Sequence, residues 1–308
     1  MKTSATQMTM KTKMITNKII GTLALESMLV EVSVTPKPGL VDRNNSGAHS
    51  DMGFFTFIKS AAGLRSCFQE FAEAGHVGGT KNFSPDEIFP YIRKIGIEAE
   101  KVMFNATNGI NTHKGEIFSL GVLSASAGYL EGMNCNMNSE GVMMTASLMC
   151  KGLCERDFSD ARNKAPEKLT KGERIYIEHG ITGIRGEAEA GYPVVRDYAL
   201  PALRKYLAEG LSLNDSLVMT LIHIMSVNDD TNVIARHGLN VCEEVKEMSR
   251  DIITNHEGID EICGLDDEFI KRNISPSGSA DLLAVTYFMY AIEHQDTSGI
   301  HQVQKLIL

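Results

Sequence analysis

No stretch of about 18 uninterrupted apolar residues occurs in this chain, which excludes a transmembrane helix. The polar, threonine-rich segment Met1 to Lys18 lacks the apolar core of a secretory signal, so none is expected there. Strand signals are nearly missing: Val and Ile rarely alternate with polar residues, and no Asn-Gly pair joins two alternating runs. No Gly-Lys-Ser/Thr triplet occurs, so there is no Walker A loop. Basic residues are in deficit, 30 against 39 acidic, for a net charge of −9. A general nucleic-acid binder needs the opposite balance, whereas a local basic pocket for a small polyanion stays open. Six cysteines are scattered over the chain. A disulfide framework is not expected from them, and reduced thiols in a cytoplasm fit better. Cys150 and Cys154 do not have a zinc spacing.

What is present is an ordinary globular composition, 43% hydrophobic and 22% charged over 308 residues. The dominant period is helical. Leu25, Met28, Leu29 and Val32 form one face of a helix that must stop before Pro36 and Pro38. Leu213, Leu217, Val218, Leu221, Ile224 and Met225 repeat the pattern. Further helices are expected at 51–75, 86–106, 114–131, 139–155, 197–209, 239–256, 259–273 and 279–294. The segment from Lys114 to Leu130 is small and apolar nearly all round, the mark of a central helix packed closely by others. No linker and no repeat is visible. The expectation is an all-α protein: a flexible N-terminal tail, 1–16, then one multi-helix globular domain, 17–308. Its ten or more helices surround the small-residue helix. Gly132 to Asn138 and Asp157 to Arg174 read as flexible loops.

Polar residues concentrate in the punctuation between helices. The first such segment, Thr35 to Asp51, holds Lys37, Asp42, Arg43, His49 and Asp51 behind two prolines and a glycine. A rigid loop with charges of both signs suits a phosphate-and-metal site, but solvated charges with Asp51 capping the next helix would look the same. In the second, Thr112 reads as an N-cap, with His113, Lys114 and Gly115 in the first helical turn. Free backbone N–H groups beside a lysine make an anion site; a plain cap with an exposed lysine is the alternative. The third, His179 to Arg196, is too rich in glycine for a long helix and carries Arg185 and Glu187. Either these flank a ligand or they form a surface ion pair on a connector. In the fourth, Asp229 and Asp230 are adjacent carboxylates whose repulsion a divalent cation would relieve, although Asp230 or Thr231 capping a short helix at Asn232 to His237 accounts for it too. The fifth, Ser275 to Leu283, offers Ser279 as an N-cap and Asp281 in a first turn. The remaining histidines, among them His76, His223, His256, His294 and His301, have no clustered partners in sequence.

Together these segments resemble the triphosphoribosyl-dephospho-CoA synthases, which make the prosthetic-group precursor of citrate lyase and malonate decarboxylase. The resemblance rests on Thr35 to Arg43, Gly47 to Met52, Gly109 to Gly115, Gly186 to Ala188 with Gly191, Asp230 to Asn232 and Gly278 to Leu283, in that order. The chain departs from the family's pattern at Gly53 and at His237, which stands where a glycine is expected. The resemblance implies a helical, cytoplasmic transferase acting on ATP and 3′-dephospho-CoA. The CoA 2′-hydroxyl attacks C1 of the ATP ribose, adenine leaves and the triphosphate stays on the product. It implies Mg²⁺ with the ATP, no membrane or nucleic-acid partner, and a downstream transferase or acyl carrier protein to receive the product. Within that frame Glu187 is the expected base. Asp51 and His49 would assist adenine departure. Lys37, Arg43, Lys114 and Arg185, with Thr112 and His113 beside them, would hold phosphates, and Asp229 and Asp230 would hold Mg²⁺. The competing expectation is an ADP-ribosyl-type N-glycoside hydrolase of helical fold, whose metal sites include an Asp-Asp-Thr run. A nucleotide-binding helper without catalysis is the non-enzyme alternative.

Overall fold

The computed structural model describes the backbone of residues 2–255 and 258–294, with side chains from Asn17 onward. The expected flexible tail, 1–16, is described in its backbone alone, where it is helical from Lys2 and continues without a break into the first helix; His256, His301 and the last residues of the expected domain lie outside the described residues. Among the described residues every regular element is helical. In chain order these are α1 (Lys2–Ser33), α2 (Phe54–Thr80), α3 (Pro85–Ala106), α4 (Lys114–Gly132) and α5 (Ser139–Met149). There follow α6 (Leu153–Phe158), α7 (Lys171–His179), α8 (Ile184–Glu189), α9 (Leu200–Ala208) and α10 (Leu213–Met225). The last are α11 (Thr231–His237), α12 (Leu239–Thr254), α13 (Ile259–Arg272) and α14 (Ser277–His294). None of them is long and apolar enough to cross a membrane.

The all-α expectation holds, and α4 is the central helix. Its residues from Glu116 to Gly128 are buried with one interruption, at Phe118. Small side chains let α2 lie against it almost backbone to backbone. A Cβ on Gly75 would collide with the Ala125 carbonyl, and one on Gly128 with the Ala72 carbonyl. The seam is therefore closed from both sides by glycine. α1 and α14 also pack on α4, burying Met28, Val32, Leu282 and Val285.

Three local expectations need correction. The stretch expected as one helix over 139–155 breaks after Met149, because Gly152 takes a left-handed φ of 70°. Asp157 to Arg174 is not simply a loop: it holds two 3₁₀ turns, Ala161–Asn163 and Pro166–Lys168, and the start of α7. His179 to Arg196 holds no long helix within its glycines, as expected, only the six-residue α8. Helix α14 starts at Ser277 rather than after a Ser279 cap.

Candidate active site

The prolines that end α1 begin a loop folded around one carboxylate. Asp42 is buried, and its Oδ1 accepts the N–H groups of Asn44 at 2.7 Å and Asn45 at 2.8 Å. Asp266 on α13 accepts the Gly39 N–H at 2.8 Å and the Asn45 side chain at 2.9 Å, pinning the loop from outside. Gly39 is needed here: its φ is 68°, and a Cβ would collide with the Ile274 carbonyl. This loop, the N-terminus of α4, α7, α8, the α10–α11 connection and the start of α14 enclose a cavity of about 710 Å³. All five polar segments of the sequence reach it. That volume lies in the range of small-molecule sites.

The charged groups of the lining differ in burial. Lys114, Lys171, Arg185 and Arg236 line it from exposed or half-exposed positions. Lys114 is 54% exposed, with Glu100 2.9 Å from its ammonium. The Arg185 Nε donates to Asp157 at 2.8 Å, with its guanidinium over the Phe158 ring. Shielded from solvent in the same lining lie Glu31, Glu116 and Lys37, with Asp281 against the start of α4. Glu31 and Glu116 are each 2% exposed and Lys37 1%. Lys37 is ion-paired to Glu31. The Asp281 carboxylate accepts the Glu116 N–H at the start of α4, and a Cβ on Gly115 would strike it. The positive end of α4 is thus already met by a carboxylate of α14. Burial pushes the acids of Glu116 and Asp281 well above the ordinary carboxylate range, and repulsion from neighbouring carboxylates, Glu31 among them for both, adds to it.

Glu187 stands on α8 at the cavity wall. Burial pushes its acid up to about 7, against a hydrogen bond donated by the Val194 N–H at 3.2 Å. A carboxylate near neutrality is suited to accept a proton. Arg185 and Glu187 both line the cavity but do not pair, since Arg185 turns to Asp157. His49 Nε2 lies 2.9 Å from Ser275 Oγ, and Asp51 is exposed 3.9 Å from its Nδ1. Burial and then the Arg236 charge hold the His49 imidazole below its ordinary range, so it is neutral at pH 7.

Other expected site residues fall elsewhere. Arg43 is exposed and outside the lining. His113, not Thr112, is the N-cap of α4. Its ring is wholly buried, bonded through Nδ1 to Ser60 Oγ at 2.7 Å and edge-on to Phe57. Burial drives the imidazole down to about 3, so His113 supplies no positive charge. Thr112 lines the cavity but spends its hydroxyl proton on Ser60 Oγ at 2.8 Å. His223 is a packing residue, bonded to Tyr206 at 3.0 Å, and His76 is paired with Glu131.

Asp230 and Asp229 differ from each other. Asp230 Oδ1 accepts the N–H groups of Asn232 at 3.0 Å and Val233 at 3.4 Å, capping α11. Its Oδ2 accepts the N–H of Ser279 at 2.8 Å and its hydroxyl at 3.0 Å, capping α14. A carboxylate offers roughly four lone-pair sites, and all are taken. Asp229 is half exposed and accepts from Lys246 at 2.5 Å. The pair does not fit a Mg²⁺ site: one member is saturated and the other already carries a cation. Among the described residues no group of three or more His, Cys, Asp or Glu is arranged to hold a metal. Sequence reasoning missed Glu31, Glu116, Lys171 and Arg236. Arg236 sits in a motif that was in view, but Glu31 and Glu116 look in sequence like ordinary polar positions of packed helices.

Residues 17–299 match the model of a protein family described as ATP:dephospho-CoA triphosphoribosyl transferase. A relative from Citrobacter koseri, named a probable 2-(5''-triphosphoribosyl)-3'-dephosphocoenzyme-A synthase, is 40% identical over 275 residues, 88% of this chain and 89% of its own. Proteins with the same name from Vibrio cholerae serotype O1 and Malonomonas rubra are 38% and 39% identical. The first aligns over 89% of this chain and 88% of its own length, the second over 90% and 88%. No solved structure matches the chain.

Proposed function

The chain belongs to the ATP:dephospho-CoA triphosphoribosyl transferase family, and from that premise we propose that this cavity is where the transfer occurs. The enzyme moves the 5-triphosphoribosyl group of ATP to the 2′-hydroxyl of 3′-dephospho-CoA, with adenine leaving. The observation that carries the siting is the convergence of all five polar segments on one cavity lined by exposed cations and buried carboxylates.

Binding follows from that lining. The triphosphate is the most anionic part of either substrate, and it goes to Lys114, Lys171, Arg185 and Arg236. Adenine and ribose then point at the buried carboxylates, where positive charge develops at C1 as the glycosidic bond stretches. Glu187, near neutrality, takes the proton of the attacking 2′-hydroxyl. His49 and Asp51 line the wall and position the substrate, since a neutral imidazole is too weak an acid to protonate departing adenine. Mg²⁺ in this reading is the counterion of the triphosphate and arrives with it. The product passes in the cytoplasm to a transferase that loads an acyl carrier protein.

Incubation with ATP, Mg²⁺ and dephospho-CoA should release adenine and yield an adduct of the combined mass, with no ADP. ADP or inorganic phosphate formed in proportion to turnover would overturn the reading. Free ribose triphosphate without an adduct would make the protein a hydrolase instead.

A further inference from the structure

Adenine is a poor leaving group as an anion, so breaking its bond to C1 calls for a proton. The candidates visible in the sequence do not supply one. His49 is neutral at pH 7 and Asp51 is exposed. The source must be a group that faces the cavity, holds a proton at neutral pH and has an oxygen free to deliver it.

The acidic cluster meets these conditions by its charge count. Glu31 comes from α1, Glu116 from α4 and Asp281 from α14, with Asp230 and Asp42 behind them. The cation enclosed with them is Lys37, bound to Glu31. His113, on the same turn as Glu116, is neutral. Three enclosed carboxylates facing one ammonium cannot all be ionised, and shared protons remain among them. Their hydrogen bonds then say where a proton can leave. Asp281 is engaged by the Glu116 N–H. Glu116 Oε2 has no hydrogen-bond partner among the described residues, although the side chain is buried and lines the cavity. Glu31 Oε2 is also without a partner, but the other Glu31 oxygen is ion-paired to Lys37, which holds that carboxylate ionised and leaves the proton to Glu116.

We propose that Glu116 is the catalytic acid, donating its carboxyl proton to N7 of adenine as the bond to C1 breaks. This rests on the reading that the cavity takes ATP with its triphosphate on the exposed cations. The step balances. The electron pair of the C1–N9 bond goes to N9, and the Glu116 proton to N7, so adenine leaves neutral. The CoA 2′-oxygen bonds to C1 and its proton goes to Glu187. Glu116 ends ionised and Glu187 protonated, and proton exchange with solvent resets both. Gly115 and Asp281 are positioning residues: the absent side chain lets the Asp281 carboxylate close on the backbone of Glu116.

The test compares ATP with a donor whose leaving group needs no proton, the 5-triphosphoribosyl ether of 4-nitrophenol. With ATP, Glu116→Gln should lose about 10²- to 10⁴-fold in kcat while the Kd for ATP changes less than about threefold. With the nitrophenyl donor, the variant and wild type should agree within a few-fold, which also shows the variant folded. Independently of any variant, the wild type should bind 7-deaza-ATP yet turn it over at least about 10²-fold more slowly than ATP. Equal losses on both donors, full activity of Glu116→Gln with ATP, or normal turnover of 7-deaza-ATP would each overturn the assignment. So would tight Mg²⁺ binding to the ATP-free protein that Glu116→Gln abolishes, because the acidic cluster would then be a metal site. Failure of the wild type to form an adduct from either donor would overturn the underlying reading of the cavity, and the assignment with it.

Discussion

Asp230→Asn separates a structural carboxylate from a metal ligand. In the wild type the four donors are N–H groups of Asn232, Val233 and Ser279 and the Ser279 hydroxyl. An amide keeps the shape but has one acceptor oxygen. Its NH₂ must face either the α11 N–H pair or the two Ser279 donors, and both choices set donor against donor. Loss of an N-cap costs about 0.5–2 kcal/mol. A buried donor left without an acceptor costs about 1–3 kcal/mol. Asn228 donates to the Ser279 hydroxyl oxygen at 3.0 Å and so offers its proton no replacement acceptor. The net expectation is about 2–4 kcal/mol of lost stability. At roughly 2–4 °C per kcal/mol for a large domain, Tm falls by about 4–16 °C. Calorimetry or thermal circular dichroism reads this directly. Titrating Mg²⁺ over the variant should restore neither Tm nor rate, because the defect lies in two helix starts. A variant with wild-type Tm whose activity returns as Mg²⁺ is raised would refute the argument and give Asp230 back to the metal.

The remaining expectations concern the base, the exposed cations, the acidic cluster and the seam. Wild-type kcat should rise with pH through about 7 as Glu187 loses its proton; Glu187→Gln should remove that limb and lower kcat by about 10²-fold or more, read from a pH–rate profile. Lys114→Ala should weaken ATP by only about 1.5- to 5-fold, because its ammonium is exposed and paired with Glu100. Arg236→Ala should cost about 10- to 150-fold by equilibrium binding, as a charge-assisted contact does. Glu116 keeps its proton in the fold at pH values where an unfolded chain, at 4.5, has lost it. Its contribution to stability is thus complete below 4.5 and fades as pH rises through the folded value, so denaturant unfolding of Glu116→Gln should show less loss than wild type as pH is raised above 4.5. Gly75→Ala should destabilise by about 1–3 kcal/mol through collision with the Ala125 carbonyl, measured by urea melting.

Much of this molecule is legible in its sequence, and the legible part has a common cause. Helix spans such as Lys114–Gly132 and Leu213–Met225 announce themselves because their signals, apolar period and caps, lie within a few residues. The five polar segments are legible for the same reason: proline, glycine and clustered charge mark where helices stop. What the sequence hides is pairing at a distance. Asp230 looks like a metal ligand until Ser279, 49 positions on, takes half of its carboxylate. Lys37 looks like a free cation until Glu31 is seen beside it. The anion expected at the start of α4 is Asp281, drawn from a helix more than 150 residues later. His113 fails as a phosphate contact because local spacing says nothing about burial.

The glycine seam between α2 and α4 has a consequence for how activity is lost. Glu116 and Gly115 open the helix that the seam locks in register, and Glu31 and Asp281 ride on α1 and α14, which pack on the same helix. The acidic cluster therefore belongs to the last part of the molecule to melt. Arg185 and Glu187 ride on α8, six residues long, and Lys171 opens α7. Short elements of this kind open locally at lower free energy than a packed core. Mild denaturant should thus detach ATP while the amides of α4 still resist hydrogen exchange. Inactivation would run ahead of unfolding, beginning where the phosphates bind and reaching the carboxylates only when the whole fold lets go.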